Sequence, residues 1–260
     1  LKEESHFEKV VDPAAGSYYL ENLTAMLAEQ AWKIFLEVQN AGGFFQAVKE
    51  NKIQTAMQET LAKRQKDVAA RKEIYLGTNQ YPNFNEMASD KMEASGKGCC
   101  CGCGEAEPVP GCTTLPNTRA AAEFEELRLA TERSGKRPKV FMLTIGNLAM
   151  RLARSQFSSN FFACAGYEII DNLGFDTVEA GVEAARKAKA DVVVLCSSDD
   201  EYAELAPRAF QCLQGGKELF VVAGAPACME DLQKAGIQNY IHVKVNVLET
   251  LKSFNAQLLK

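Results

Sequence analysis

No apolar run in this 260-residue chain approaches the roughly 20 residues that cross a bilayer, so no spanning helix is predicted. A basic surplus is missing too: the net charge of −5 argues against a general nucleic-acid binder. The opening stretch Leu1–His6 has no apolar core of the kind a secretory signal needs. There is no initiator Met either, so the chain reads as starting inside a longer one. Tandem Cys-x-x-Cys motifs are absent although there are nine cysteines, an odd count. Four of them, Cys164, Cys196, Cys212 and Cys228, are scattered singly among apolar residues, as buried free thiols are, which suits a reducing cytoplasm. What is present is enough apolar content, 47%, for one large domain or two small ones.

From Glu21 to about Asn40, Leu23, Met26, Leu27, Ala31, Ile34, Phe35 and Val38 recur every three or four residues. This predicts an amphipathic helix ended by Gly42-Gly43. A second helix is predicted from about Ile53 to Val68, then a short strand at Lys72–Leu76 and a turn through Gly77-Thr78-Asn79. Two long helices and one strand cannot bury their own apolar faces. Residues 1–85 therefore read as a piece of a larger α/β domain.

Between about 86 and 116 the composition shifts to Ser, Gly and Pro around Cys99, Cys100, Cys101 and Cys103, which marks a linker. These cysteines with Cys112 supply enough thiolates for zinc or an iron–sulfur cluster. Three adjacent cysteines do not converge easily on one ion, so the spacing favours an oxidation-prone linker tip without metal. Thr118 is a candidate cap for the next helix, which has Glu123, Glu125 and Glu126 early and Arg133 and Lys136 late, as its dipole prefers.

From residue 139 strand-like and helical runs alternate. Strands are predicted at 140–145, 167–170, 191–196, 218–222 and 240–243, and helices at about 152–165, 178–189, 200–214, 228–235 and 247–259. Val192–Leu195 is apolar on both faces, as buried parallel strands are. Five βα units predict a doubly wound parallel sheet over 139–260, with ligands at the carboxyl ends of its strands.

The order Val11-Asp-Pro-Ala-Ala-Gly-Ser-Tyr-Tyr-Leu-Glu21, Leu27-Ala-Glu-Gln-Ala31, Glu37-Val38, Gly42-Gly43 and Gly77-Thr-Asn-Gln-Tyr81 resembles the end of the β/α (TIM) barrel of methylmalonyl-CoA mutases. The resemblance covers nearly the whole chain. It implies a C-terminal barrel part over 1–85, a linker plus helix over 86–138, and a flavodoxin-like (Rossmann-like) cobalamin-binding-type domain over 139–260. It also implies the family reaction, a radical interconversion of succinyl-CoA and methylmalonyl-CoA for which adenosylcobalamin supplies the radical.

In that family an Asp-x-His-x-x-Gly motif follows the domain's first strand. The His ligates cobalt, the Asp fixes its tautomer, and the Gly lets the corrin's nucleotide tail pass. Here Leu148 stands at the Asp, Met150 at the His and Ala153 at the Gly. His242, the one other candidate in the domain, falls at the end of the fifth strand. With strand order 2-1-3-4-5 it is roughly 14 Å from the first strand. The residual pocket implied by the resemblance is Gly146, Ser197, Ser198 and Gly224, while Phe157, Phe161 and Phe162 stand where they would fill the tail's slot or simply pack the core.

This pattern resembles the mutases' small subunits, which keep the fold, lose the chemistry and pair with a catalytic large subunit. Ala14, where mutases commonly carry a bulky aromatic, points the same way. The expectation is a chain with no catalytic residues and no metal of its own, in a heterodimer whose adenosylcobalamin sits on the large subunit. An active mutase piece with an atypical cobalamin mode is the alternative, and a flavodoxin-like module for another ligand a third. Two smaller features have a sharper and a plainer reading: Asp199-Asp200-Glu201 as a Mg²⁺ site or as ordinary acids at a helix N-terminus, and Tyr18 and Tyr19 as rim contacts or barrel packing, the plainer one favoured in each case.

Overall fold

The structure is a computed structural model that describes residues 1–90, 111, 113, 114 and 118–259. Its described residues fall into two compact units, one holding 1–60 and the other 61–90 with 118–259. The Cys99–Cys103 cluster, Cys112 and most of the predicted linker lie outside the described residues.

The first unit is helical: α1 (Tyr18–Asn40), α2 (Phe44–Lys49) and the start of α3 (Lys52–Ala69). Gly42 and Gly43 both take positive φ and end α1 as the sequence predicts, because a left-handed backbone suits residues without Cβ. None of the 23 residues of α1 is buried. Tyr18 and Tyr19 at its start are 90% and 74% exposed. The predicted strand at 72–76 is not formed; a single bridge, Leu76 to Gln80, is all that remains. The reason is Asn79, fully buried, whose amide donates to the carbonyls of Val68 and Glu73 and whose oxygen accepts the N–H of Tyr75 at 2.7 Å. One side chain satisfies the backbone that a ladder would otherwise use.

The second unit is built on a parallel five-stranded sheet in the order β2-β1-β3-β4-β5. The strands are β1 (Lys139–Thr144), β2 (Glu168–Ile170), β3 (Val192–Cys196), β4 (Leu219–Ala223) and β5 (Tyr240–Ile241). The helices are α4 (Ala122–Arg133), α5 (Leu148–Ala163), α6 (Val178–Lys187), α7 (Tyr202–Leu213), α8 (Met229–Lys234) and α9 (Val247–Leu258). Alternate strand residues face opposite layers. Val140, Met142, Val192, Val194 and Val221 pack under α4, α5 and α9, while Phe141, Leu143, Val193, Leu195 and Val222 pack under α6, α7 and α8. Burial on both faces is why these strands read as continuous apolar runs. Thr118 does not cap α4; the helix begins after Ala121 without a side-chain cap.

Residues 61–90 run as a strap over this second unit. Val68 and Ala69 enter its core with Phe124 and Phe161. Arg71 donates to the Asn160 carbonyl at 3.2 Å and lies 5.5 Å over the Phe161 ring. In the same layer Asn255 of α9 accepts from Tyr167 at 2.7 Å and donates to Thr131 of α4 at 3.1 Å, so that the buried polar groups of three elements satisfy one another. Among the described residues, no helix is long and apolar enough to cross a membrane.

Candidate functional site

In a doubly wound sheet the ligand crevice opens where the strand order reverses, here between the loops that follow β1 and β3. The β1 loop is Ile145-Gly146-Asn147. Asn147 caps α5, its side-chain oxygen accepting the Met150 N–H at 3.1 Å. That cap starts the helix at Leu148, four residues before apolar periodicity predicts it, so Leu148 and Met150 join Ala153 on the helix. Leu148 is 59% exposed and Met150 is 37% exposed, and neither offers a nitrogen or oxygen to a metal.

The β3 loop supplies Ser197 and Ser198, and the crevice between the loops is bridged by Glu201. One oxygen of its carboxylate accepts from Ser197 Oγ at 2.5 Å, Ser198 Oγ at 2.7 Å, the Ser198 N–H at 3.2 Å and, across the crevice, the Asn147 N–H at 3.3 Å. Gly146 makes the close approach possible. Its φ is +79°, and a Cβ there would meet that oxygen at 2.2 Å. The hydrogen bonds from Ser197 and Ser198 hold the Glu201 carboxyl well below the usual range, at about 2.

The neighbouring acid is engaged as well: Asp199 pairs with Arg154 of α5 at 2.9 Å. Of the expected pocket residues, Gly146, Ser197 and Ser198 gather on Glu201, and Gly224 stands beside Asp199 and Tyr202. Of Asp199-Asp200-Glu201, two acids hold partners within the protein, Arg154 for Asp199 and the serines for Glu201. Buried beneath, Cys196 is pushed up to about 12 by desolvation and is no nucleophile at neutral pH. Tyr202 is fully buried, donates to the Ala223 carbonyl at 2.6 Å and accepts the Ser197 N–H at 3.1 Å, which fixes the β3 loop from below.

His242 follows β5, three strands away from β1 in the observed order. It is half-buried, its Nδ1 accepts the Lys244 N–H at 3.3 Å, and desolvation followed by Lys244 and Arg154 lowers its pKa. It takes no part in the crevice. Phe161 and Phe162 are fully buried between α5, α9 and the sheet, with Phe162 stacked on Tyr167 and Phe254.

Comparison with known proteins gives this arrangement a context. The family profile described as Methylmalonyl-CoA mutase matches residues 1–97. The chain is 63% identical over 255 residues to the methylmalonyl-CoA mutase small subunit of Porphyromonas gingivalis, covering 98% of this chain and 40% of that protein. It is related to the methylmalonyl-CoA mutase small subunits. The small subunit of Streptomyces virginiae is 35% identical over 225 residues (85% of this chain, 34% of that protein). That of Propionibacterium freudenreichii subsp. shermanii is 30% identical over 260 residues (97% and 38%). The chain thus spans about two fifths or less of these relatives' length.

For a relative of mutase small subunits, the site has to be judged against cobalamin. The residues do not fit it. No nitrogen ligand stands at the β1 loop, and the space beside Gly146 holds the Glu201 carboxylate. The sequence names Glu201 as an acid near a helix N-terminus and not as the residue that bridges the crevice. The signal was the spacing Ser198-x-x-Glu201, which lets the acid reach back to the serine N–H just ahead of α7.

The closure carries a pH signature. Because Glu201's pKa is depressed in the folded state, its contribution is fully present above the ordinary carboxyl value of 4.5 and is lost as pH falls toward about 2. In Glu201→Gln that pH-dependent part disappears. The stability gap between native and variant protein, measured by urea unfolding, is expected to shrink by roughly 1–2 kcal/mol across that window, allowing for solvent screening at the rim. A gap that stays constant with pH would show that the carboxylate is not held as described.

Proposed function

We propose that this chain is part of a methylmalonyl-CoA mutase small subunit that supports a large catalytic subunit without binding adenosylcobalamin. Residues 139–260 then form a flavodoxin-like domain of cobalamin-binding type whose crevice is closed. Residues 1–85 belong to the end of a β/α barrel, and 86–138 connect the two. The holoenzyme isomerises succinyl-CoA and methylmalonyl-CoA, and its cofactor, carried by the large subunit, supplies the radical. The observation that carries this reading is Glu201, which bridges Asn147 of one loop to Ser197 and Ser198 of the other where a ligand would enter. The exposed α1 supports the same reading, since a helix with no buried residue needs a covering surface.

The test is direct. Purified protein titrated with adenosylcobalamin and passed over a desalting column will not retain the cofactor, and its visible spectrum will stay that of free cobalamin. Restoring the motif by Leu148→Asp, Met150→His and Ala153→Gly will recover little binding, because Glu201 still closes the crevice. Stoichiometric retention by the unaltered chain would overturn the proposal.

A further inference from the structure

We infer that the second unit carries a small-molecule site separate from the crevice, on the outer side of edge strand β2, for a flat aromatic compound bearing a cationic or N–H donor group. A cleft of about 620 Å³ lies there between the strap, α5 and β2, within the size range of small-ligand sites. Its apolar wall is Tyr81, Pro82, Phe84 and Ile169, and its polar members include Ser159 and Asp171.

Three observations point to a ligand. First, Ser159 is 7% exposed and its Oγ has no hydrogen-bond partner within the protein. A buried hydroxyl without a partner costs about 1–3 kcal/mol, so a group that completes it is stabilising. Second, one oxygen of Asp171 is fixed by Ser155 Oγ at 2.7 Å and by the Asn172 N–H at 2.9 Å, which orients a carboxylate at the cleft. An oriented carboxylate beside aromatic walls suits a donor or cation carried on a ring.

Third, the wall formed by the strap is held rigidly. Tyr81 sits in the left-handed region at φ 49°, which is unfavourable for a bulky residue, and its N–H is held by Asn160 Oδ1 at 2.7 Å. Arg137 donates to the Phe84 carbonyl and Arg128 to the Asn83 carbonyl at 3.0 Å. The cleft is therefore formed before any ligand arrives, and little ordering cost accompanies binding.

Benzamidine, a phenyl ring with an amidinium, is the probe. In saturation-transfer NMR and calorimetry on the full chain it is expected to bind saturably at millimolar concentration. Asp171→Asn should weaken it by about 10-fold and Ser159→Ala by about 3-fold. Neutral benzamide should bind more weakly than benzamidine. Thermal midpoints of the variants report folding; if one variant is misfolded, the other still decides. Absence of saturable binding, affinity unchanged in the folded variants, or a crystal structure soaked with the probe that shows only water on Ser159 would overturn the inference.

Discussion

On the proposed pairing, replacing Leu27 and Phe35 by Asp will lower recovery of this chain in complex with a mutase large subunit by at least ~100-fold, equivalent to about 2.7 kcal/mol. α1 repeats apolar residues at helical spacing, yet Leu27 is 62%, Trp32 59%, Ile34 61% and Phe35 53% exposed. Trp32 and Phe35 stack at 5.1 Å, making a preformed aromatic ridge. Burying one such side chain contributes about 1.5–3 kcal/mol, and putting a carboxylate in its place adds a desolvation cost. Two substitutions therefore exceed the stated loss comfortably. The measurement is co-expression with a mutase large subunit and affinity recovery of the complex. The five-stranded unit should keep its thermal midpoint, because no residue of α1 enters either core cluster. Undiminished recovery would mean that this face is not where the assembly packs.

The same helix shows what a sequence can disclose. Its periodicity and its Gly42-Gly43 stop were legible, and so were the five strands, because parallel strands buried on both sides carry unbroken apolar runs such as Val192–Leu195. What escaped had no periodic trace. Asn79 replaces a strand ladder with side-chain hydrogen bonds, and nothing in Lys72–Leu76 distinguishes a strand from that loop. Asn147 starts α5 early through one cap, ahead of the point where the apolar residues settle into a helical period. Glu201 closes the crevice with a contact to Asn147, 54 residues away, and such tertiary partners are invisible to local patterns.

The strap over the second unit belongs to the same class of long-range feature, and Arg128→Ala will test it with the largest stability loss expected here, about 3–5 kcal/mol. Arg128 and Glu132 stand one turn apart on α4, 3.5 Å from each other, with side chains only 9% and 7% exposed. They are not an isolated pair. Arg128 donates to the carbonyls of Asn83 and Glu86, and Glu132 accepts the N–H groups of Ala88 at 2.7 Å and Ser89 at 2.9 Å. Together they hold residues 83–89 mainly by backbone groups, with the Ser89 side chain as a further partner of Glu132, so the strap's side chains gave little warning of it. Removing the arginine leaves a buried carboxylate without its cation and two carbonyls without a donor, and both costs fall on one site. Arg128→Lys should recover only part of the loss, because one ammonium cannot reach both carbonyls and the carboxylate in the geometry of a guanidinium fork. Urea unfolding followed by far-UV circular dichroism gives the stability, and amide exchange of residues 83–89 gives the local effect. Exchange there should accelerate well beyond that of β1 and β3. A loss under 1 kcal/mol with unchanged exchange would show that the strap is held by its apolar contacts at Val68 and Ala69 instead of by this clamp.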